Sequence, residues 1–138
     1  VLTPTNSVTL AQRALQNIPV GGKTPLSAGL KLAYEVLIRE KITHPDIVPL
    51  MVLLTDGAGN VSMGKKLGPL PEAYQIARLI AEEHIHSIVI NLEHVSFDRG
   101  LAKALADNLL GPCYSIEDLH AQALYQAVRH EMDLIKKK

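Results

Sequence analysis

Pro49-Leu50-Met51-Val52-Leu53-Leu54-Thr55-Asp56-Gly57 decides the fold, because an unbroken apolar run ends there on a carboxylate followed by glycine. A short run of this kind without polar alternation predicts a strand covered on both faces, the pattern of parallel strands in α/β proteins. Asp56 then falls at the carboxyl end of the strand, where open α/β sheets bind their ligands, and it becomes the first candidate for chemistry.

Working outward, the flanking segments alternate between helix and strand. Leu10, Ala11, Ala14, Leu15 and Ile18 recur on one helical face behind Thr5, Asn6 and Ser7 as capping side chains, up to Pro19. Val1 to Thr3, before Pro4, reads as the tail of a strand. Thr24 and Pro25 open a second helix with Leu26, Leu30, Ala33 and Leu37 as its inward stripe. Residues 42 to 49 connect it to the apolar strand. After Asp56 comes a glycine-rich loop through Gly68, longer than the about two to six residues usual for such a connection. A helix over Glu72 to His84 follows, with Ala73, Ile76, Ala77 and Ile80 inward, then a strand over Ser87 to Leu92. Asp98 is expected to cap a helix bearing Leu101, Ala102, Leu105 and Leu109, with Gly111 as its left-handed stop. A short strand from Cys113 to Ile116 and a last helix from Glu117, with Leu124, Val128 and Ile135 inward, complete the chain. The expected fold is a doubly wound, Rossmann-like parallel sheet with helices on both faces, in one domain over residues 1–138.

Composition excludes several function classes. Lysine plus arginine and aspartate plus glutamate are 14 each among 138 residues, so there is no basic footprint for nucleic acid. The single cysteine, Cys113, precludes an internal disulfide and suits a reducing compartment. No run approaches the about 20 apolar residues of a membrane span. A cytoplasmic setting is expected.

Gly22-Lys23-Thr24 has the ending of a phosphate-binding P-loop, but the upstream glycine of that motif falls on Asn17, and a helix rather than a strand precedes it. His84, His86 and His94 lack the spacing of a zinc site and read as surface or helix-end residues. No nucleophile elbow is present, and Cys113 reads as a small core residue. Thr24 and Asp56 remain. Taken alone, Thr24 is accounted for as a helix cap and Asp56 as a turn former.

Their joint context points further. Gly21-Gly22-Lys23-Thr24-Pro25-Leu26 and Leu53-Leu54-Thr55-Asp56-Gly57 together resemble the second and third metal-site loops of the von Willebrand factor A fold. Adding Ser27-Ala28-Gly29-Leu30, Ala58-Gly59-Asn60, Ile88-Val89-Ile90-Asn91-Leu92-Glu93, and Gly100-Leu101-Ala102-Lys103-Ala104-Leu105-Ala106 with Tyr114 narrows the likeness. Over nearly the whole chain it is similar to the carboxyl-terminal domain of the magnesium chelatase D subunit.

This resemblance implies a magnesium ion held by the Thr24 hydroxyl, with Asp56 binding the metal's waters and Gly22 and Gly57 letting the loops approach. Oxygen donors of this kind suit a hard divalent cation. It further implies a non-catalytic docking module, whose partners are an AAA+ ATPase subunit and a porphyrin-binding subunit that together insert magnesium into protoporphyrin IX. The setting would be cytoplasmic, or the plastid stroma in a photosynthetic eukaryote. A cobaltochelatase subunit is the alternative, and a magnesium-dependent phosphoryl-transfer domain with Asp56, Glu93, Asp98 and Lys65 is the competing enzyme reading.

The family's first metal loop, Asp-x-Ser-x-Ser, has no counterpart in this sequence. The domain is therefore expected to be partial, its magnesium binding weak or absent, and the Pro49 to Thr55 strand to lack a neighbour. Each large apolar side chain left uncovered forfeits ~1.5–3 kcal/mol, so self-association through that strand is expected.

Overall fold

The computed structural model describes residues 4–16, 26–56, 69–92, 100–115 and 121–136. They form α1 (Val8–Gln16), α2 (Leu26–Thr43), β1 (Leu50–Thr55), α3 (Pro69–Glu82), β2 (His86–Asn91), α4 (Leu101–Leu109), β3 (Cys113–Ser115) and α5 (Ala121–Lys136). The strands make one parallel sheet in the order β1-β2-β3, with Leu50 opposite His86 and Val89 opposite Cys113. This is the α/β architecture expected from the sequence.

The sheet is built around β2. Its run His-Ser-Ile-Val-Ile-Asn is rich in β-branched residues that pack well on a pleated surface, and Ile88, Val89 and Ile90 are completely buried. Val89 faces one core, together with Leu26 and Leu30 of α2, Met51 of β1, Ala73, Ala77 and Ile80 of α3, and Leu105 of α4. α2 packs on α3, α3 on α4, and α4 on β2 and β3. The crossovers β1-α3-β2 and β2-α4-β3 step the same way across the sheet, which puts both helices on this one face.

Ile88 and Ile90 point to the other face. Tyr114, in register with Ile90, donates its hydroxyl hydrogen bond to the Glu131 carboxylate and so ties α5 to that side. α3 and α4 thus lie on one face, and this contact is the link of α5 to the other. Polar ties fix the helix ends: the Lys41 ammonium donates to the Glu83 carbonyl at 2.8 Å, and Arg78 Nε donates to Asn108 Oδ1 at 3.0 Å.

Several details depart from the sequence reading. β1 is covered on one face only: Met51 and Thr55 are buried, whereas Val52 is 37 % and Leu54 55 % exposed. The physical reason is position, since β1 is an edge of the described sheet and the fully covered strand is β2. Leu10 is exposed rather than inward. α3 begins at Pro69, three residues ahead of the expected start, because proline is well suited to a first turn. Gly100, not Asp98, is the N-cap of α4; it has φ 81° and makes no side-chain capping bond.

The left-handed stop of α4 is Leu110, with φ 57°, and not Gly111. Leu110 N–H reaches the Asp107 carbonyl and Gly111 N–H the Ala106 carbonyl, the paired bonds of a Schellman ending. Glycine is required at 111 for a different reason: a Cβ there would fall on the backbone carbonyl oxygen of Ser87. α3 ends the same way, with His84 at φ 57° and Ile85 N–H bonded to the Ile80 carbonyl. The expected strand tail at Val1 to Thr3, the cap at Thr24, the strand end at Ile116 and the inward placement of Leu124 lie outside the described side chains.

Two predictions follow from this packing. Leu110→Gly should stabilise the chain by about 1 kcal/mol, because a left-handed L-residue costs roughly that much and an 84 % exposed side chain surrenders no burial. Gly111→Ala should destabilise it by about 1–3 kcal/mol through overpacking against rigid backbone, and urea unfolding of both variants checks the opposite signs. Burial first, then the Glu131 charge and hydrogen bond, raise the Tyr114 hydroxyl above its ordinary pKa of 10.0. A raised value means the folded state holds the proton more tightly, so this contribution is complete below pH 10.0 and is lost as pH rises through the folded value. Tyr114→Phe should flatten the alkaline decline of stability measured above that pH.

Candidate functional site

Because the strands are parallel, their carboxyl ends share one edge of the sheet. Each strand ends there on a polar residue, and register places the three side by side: Thr55 opposite Asn91, and Asn91 opposite Ser115. Thr55 and Asn91 are buried, an expensive placement unless their polar atoms are bonded, and none of the three lacks a partner. The Leu92 N–H donates to the Thr55 carbonyl at 2.8 Å, which continues the ladder one residue past the strand ends.

Asp56 is the next residue of β1 beyond this row and is exposed. It has an interaction partner within the chain. The connection that leaves Asp56 returns through the first turn of α3, where Glu72 is buried. Ser27, in the first turn of α2, is fully buried. The strand ends thus bring the Asp56 carboxylate next to hydroxyls and a carboxamide, oxygen donors of the kind that hard cations and polar ligands take. Ligand binding at the carboxyl ends of parallel strands is the general rule for open α/β sheets.

Of the residues singled out in the sequence, Asp56 stands where expected. Gly22, Thr24 and Gly57 lie outside the described residues, as do Lys65, Glu93, His94 and Asp98. Among the described residues no group of three or more histidines, cysteines, aspartates or glutamates is arranged to hold a metal. His84 is exposed at the end of α3 and His86 opens β2, both at the amino edge and away from Asp56. Cys113 is half-buried against the core. No described helix is long and apolar enough to cross a membrane.

Thr55, Asn91 and Ser115 escaped the sequence reading. Their signal was partial: a small polar residue stands at, or one residue before, the end of each predicted strand, and parallel register makes such residues neighbours. A cleft of about 480 Å³ also lies at the opposite edge, between the ends of α3 and α4, lined by Arg78, Glu82, His84 and Leu110 among others. It sits at the amino ends of the strands, and its Arg78 is held by Asn108, so the carboxyl edge is the stronger candidate.

No family model matches the sequence, and no solved structure matches it. Sequence relatives do. The uncharacterized protein Rv2850c of Mycobacterium tuberculosis is 37 % identical over 129 residues, 94 % of this chain and 20 % of that protein. The magnesium-chelatase 67 kDa subunit of Heliobacterium mobile is 29 % identical over 143 residues, 99 % of this chain and 21 % of the subunit. The chain therefore spans about a fifth of the length of these two relatives. The uncharacterized protein MJ0910 of Methanocaldococcus jannaschii is 36 % identical over 120 residues, 86 % of this chain and 68 % of the relative. By this similarity the chain belongs to the same family as MJ0910, and it is related at lower identity to magnesium-chelatase 67 kDa subunits.

Proposed function

We propose that the chain is a docking domain of a chelatase assembly, of the von Willebrand factor A type, that presents its carboxyl edge to partner subunits. The observation that carries this reading is the likeness to a magnesium-chelatase 67 kDa subunit along 99 % of the chain. The α/β fold, with an exposed acid at the end of β1 beside a polar row, supports it. The partners would be an ATP-hydrolysing AAA+ subunit and a porphyrin-binding subunit, and magnesium would be the ion inserted into the porphyrin. The named relatives are magnesium-chelatase subunits, which favours magnesium over cobalt as that substrate.

In this reading the edge also holds a resident magnesium ion. Thr24 supplies the hydroxyl ligand, Asp56 orients the metal's waters, and Gly22 and Gly57 keep the approach free of side chains. The described part of the edge fits such an ion in donor type, since Asp56, Thr55, Asn91 and Ser115 offer only oxygen or amide groups and no soft ligand. A bound ion would supply a positive centre for an acidic side chain of the partner. The chain's own residues would do the rest: Asp56 sets the position of that charge, and the buried Thr55 and Asn91 hold the end of β1 rigid beneath it. The compartment would be the cytoplasm, or a plastid stroma in a photosynthetic eukaryote.

Isothermal titration calorimetry with magnesium tests the proposal. The whole chain should bind weakly, and Asp56→Asn should lose about tenfold or more in affinity with an unfolding free energy changed by less than about 0.5 kcal/mol, as for an exposed residue. Asn91→Ala should behave oppositely, losing about 1–3 kcal/mol of stability because its buried partners are stranded. Magnesium binding that is unchanged in Asp56→Asn would contradict the assignment.

A further inference from the structure

We infer that the outward stripe of α5 docks an acidic helical segment of a partner protein, at a surface separate from the carboxyl edge. Glu131 takes the Tyr114 hydroxyl, and Val128 and Ile135 are half-buried with it, so these residues mark the side of α5 turned to the sheet. Tyr125, Arg129, Met132 and Lys136 follow one another at spacings of four, three and four residues. On a helix that sets them in one line within about 60° of arc, about a quarter turn from the sheet side. All four are exposed, Tyr125 at 62 % and Met132 at 41 %.

The stripe has the make-up of an interface centre. Tyrosine, arginine and methionine are residue types that concentrate in protein–protein contacts. The Arg129 guanidinium lies over the Tyr125 ring, with its central carbon 6.0 Å from the ring centroid. This cation–π contact holds two flat groups in place, so less side-chain freedom is lost when a partner arrives. Asp133 stands one turn beyond Arg129, where an i,i+4 ion pair would form, yet the guanidinium turns back to the ring. Among the described residues neither Arg129 nor Lys136 is in a salt bridge. Their N–H donors are therefore open to a carboxylate from outside.

Charge identifies the occupant. The chain as a whole is neutral, with 14 basic and 14 acidic residues, whereas the stripe carries two cations and no acid. Arg129 and Lys136 stand two helical turns apart, about 10 Å along the axis, and carboxylates two turns apart on a facing helix have the same spacing. Arg129 takes one such group through two parallel N–H bonds, and Lys136 takes the other as a point charge. Aliphatic side chains beside those carboxylates cover Met132 and the Tyr125 ring. Two cations neutralise too few phosphates to hold a nucleic-acid backbone, so a protein is the fitting partner.

Amide NMR titration of the full 138-residue chain with two helical peptides tests this. One peptide carries glutamates at the spacing of Arg129 and Lys136 with leucines beside them, and the other has glutamine in place of each glutamate. The glutamate peptide should shift the amides of Tyr125 to Lys136 and bind about tenfold or more tighter than the glutamine peptide. Arg129→Lys should lose about threefold or more, since an ammonium cannot make the paired bonds. Arg129→Glu combined with Lys136→Glu should abolish this binding and create binding of a peptide with lysine in place of each glutamate. The urea midpoint should not move in these variants, because both positions are exposed. No shifts with the glutamate peptide, equal binding of the glutamate and glutamine peptides, shifts centred away from α5, or a double variant that binds as the parent does would each overturn the proposal. Single-stranded RNA or anionic lipid vesicles binding through Arg129 in preference to the peptide would overturn the assignment of a protein partner.

Discussion

The parallel register of β2 with its two neighbours is the constraint on which the rest of the molecule depends. Ile88, Val89 and Ile90 lose all contact with water, so β2 needs cover on both faces and a strand on each side. α3 and α4 supply one face, and on the other Tyr114 is linked to Glu131 of α5. A slip of one residue would turn Val89 away from its core and expose the buried set, so the register is strongly specified. That register also lines up Thr55, Asn91 and Ser115, and it is therefore the origin of the polar edge beside Asp56.

The carboxyl end of β1 delivers Asp56 to the edge where α/β sheets bind ligands. The same strand anchors that edge to the core through Met51 and Thr55, which are buried against the rest of the sheet and its helices.

Most of the fold was legible in the sequence because its signals were redundant. The inward stripes Ala73, Ile76, Ala77, Ile80 and Leu101, Ala102, Leu105, Leu109 repeat at helical spacing and are buried as that spacing requires. What misled were places where one residue type serves two physical ends. An apolar run marks a covered strand, yet β1 is apolar with one open face, and only the strand order shows this. Gly111 after a helix suggests a left-handed stop, but Leu110 takes that conformation while Gly111 makes room for the Ser87 carbonyl. Asp98 looked like a cap three residues ahead of the helix, whereas Gly100 is the N-cap. At the site, Asp56 was legible from its place after a strand. The polar row was not, because Thr55, Asn91 and Ser115 are far apart in sequence and meet only through register.

The central claim is that the carboxyl edge, and not the amino-edge cleft between α3 and α4, is the working surface. Backbone amide shifts followed during a millimolar magnesium titration separate the two directly. The account predicts shifts concentrated at Thr55, Asp56, Asn91 and Leu92, with His84, His86 and Leu110 unmoved. Shifts confined to the His84 and Leu110 side, or none at Asp56 and its neighbours, would contradict it.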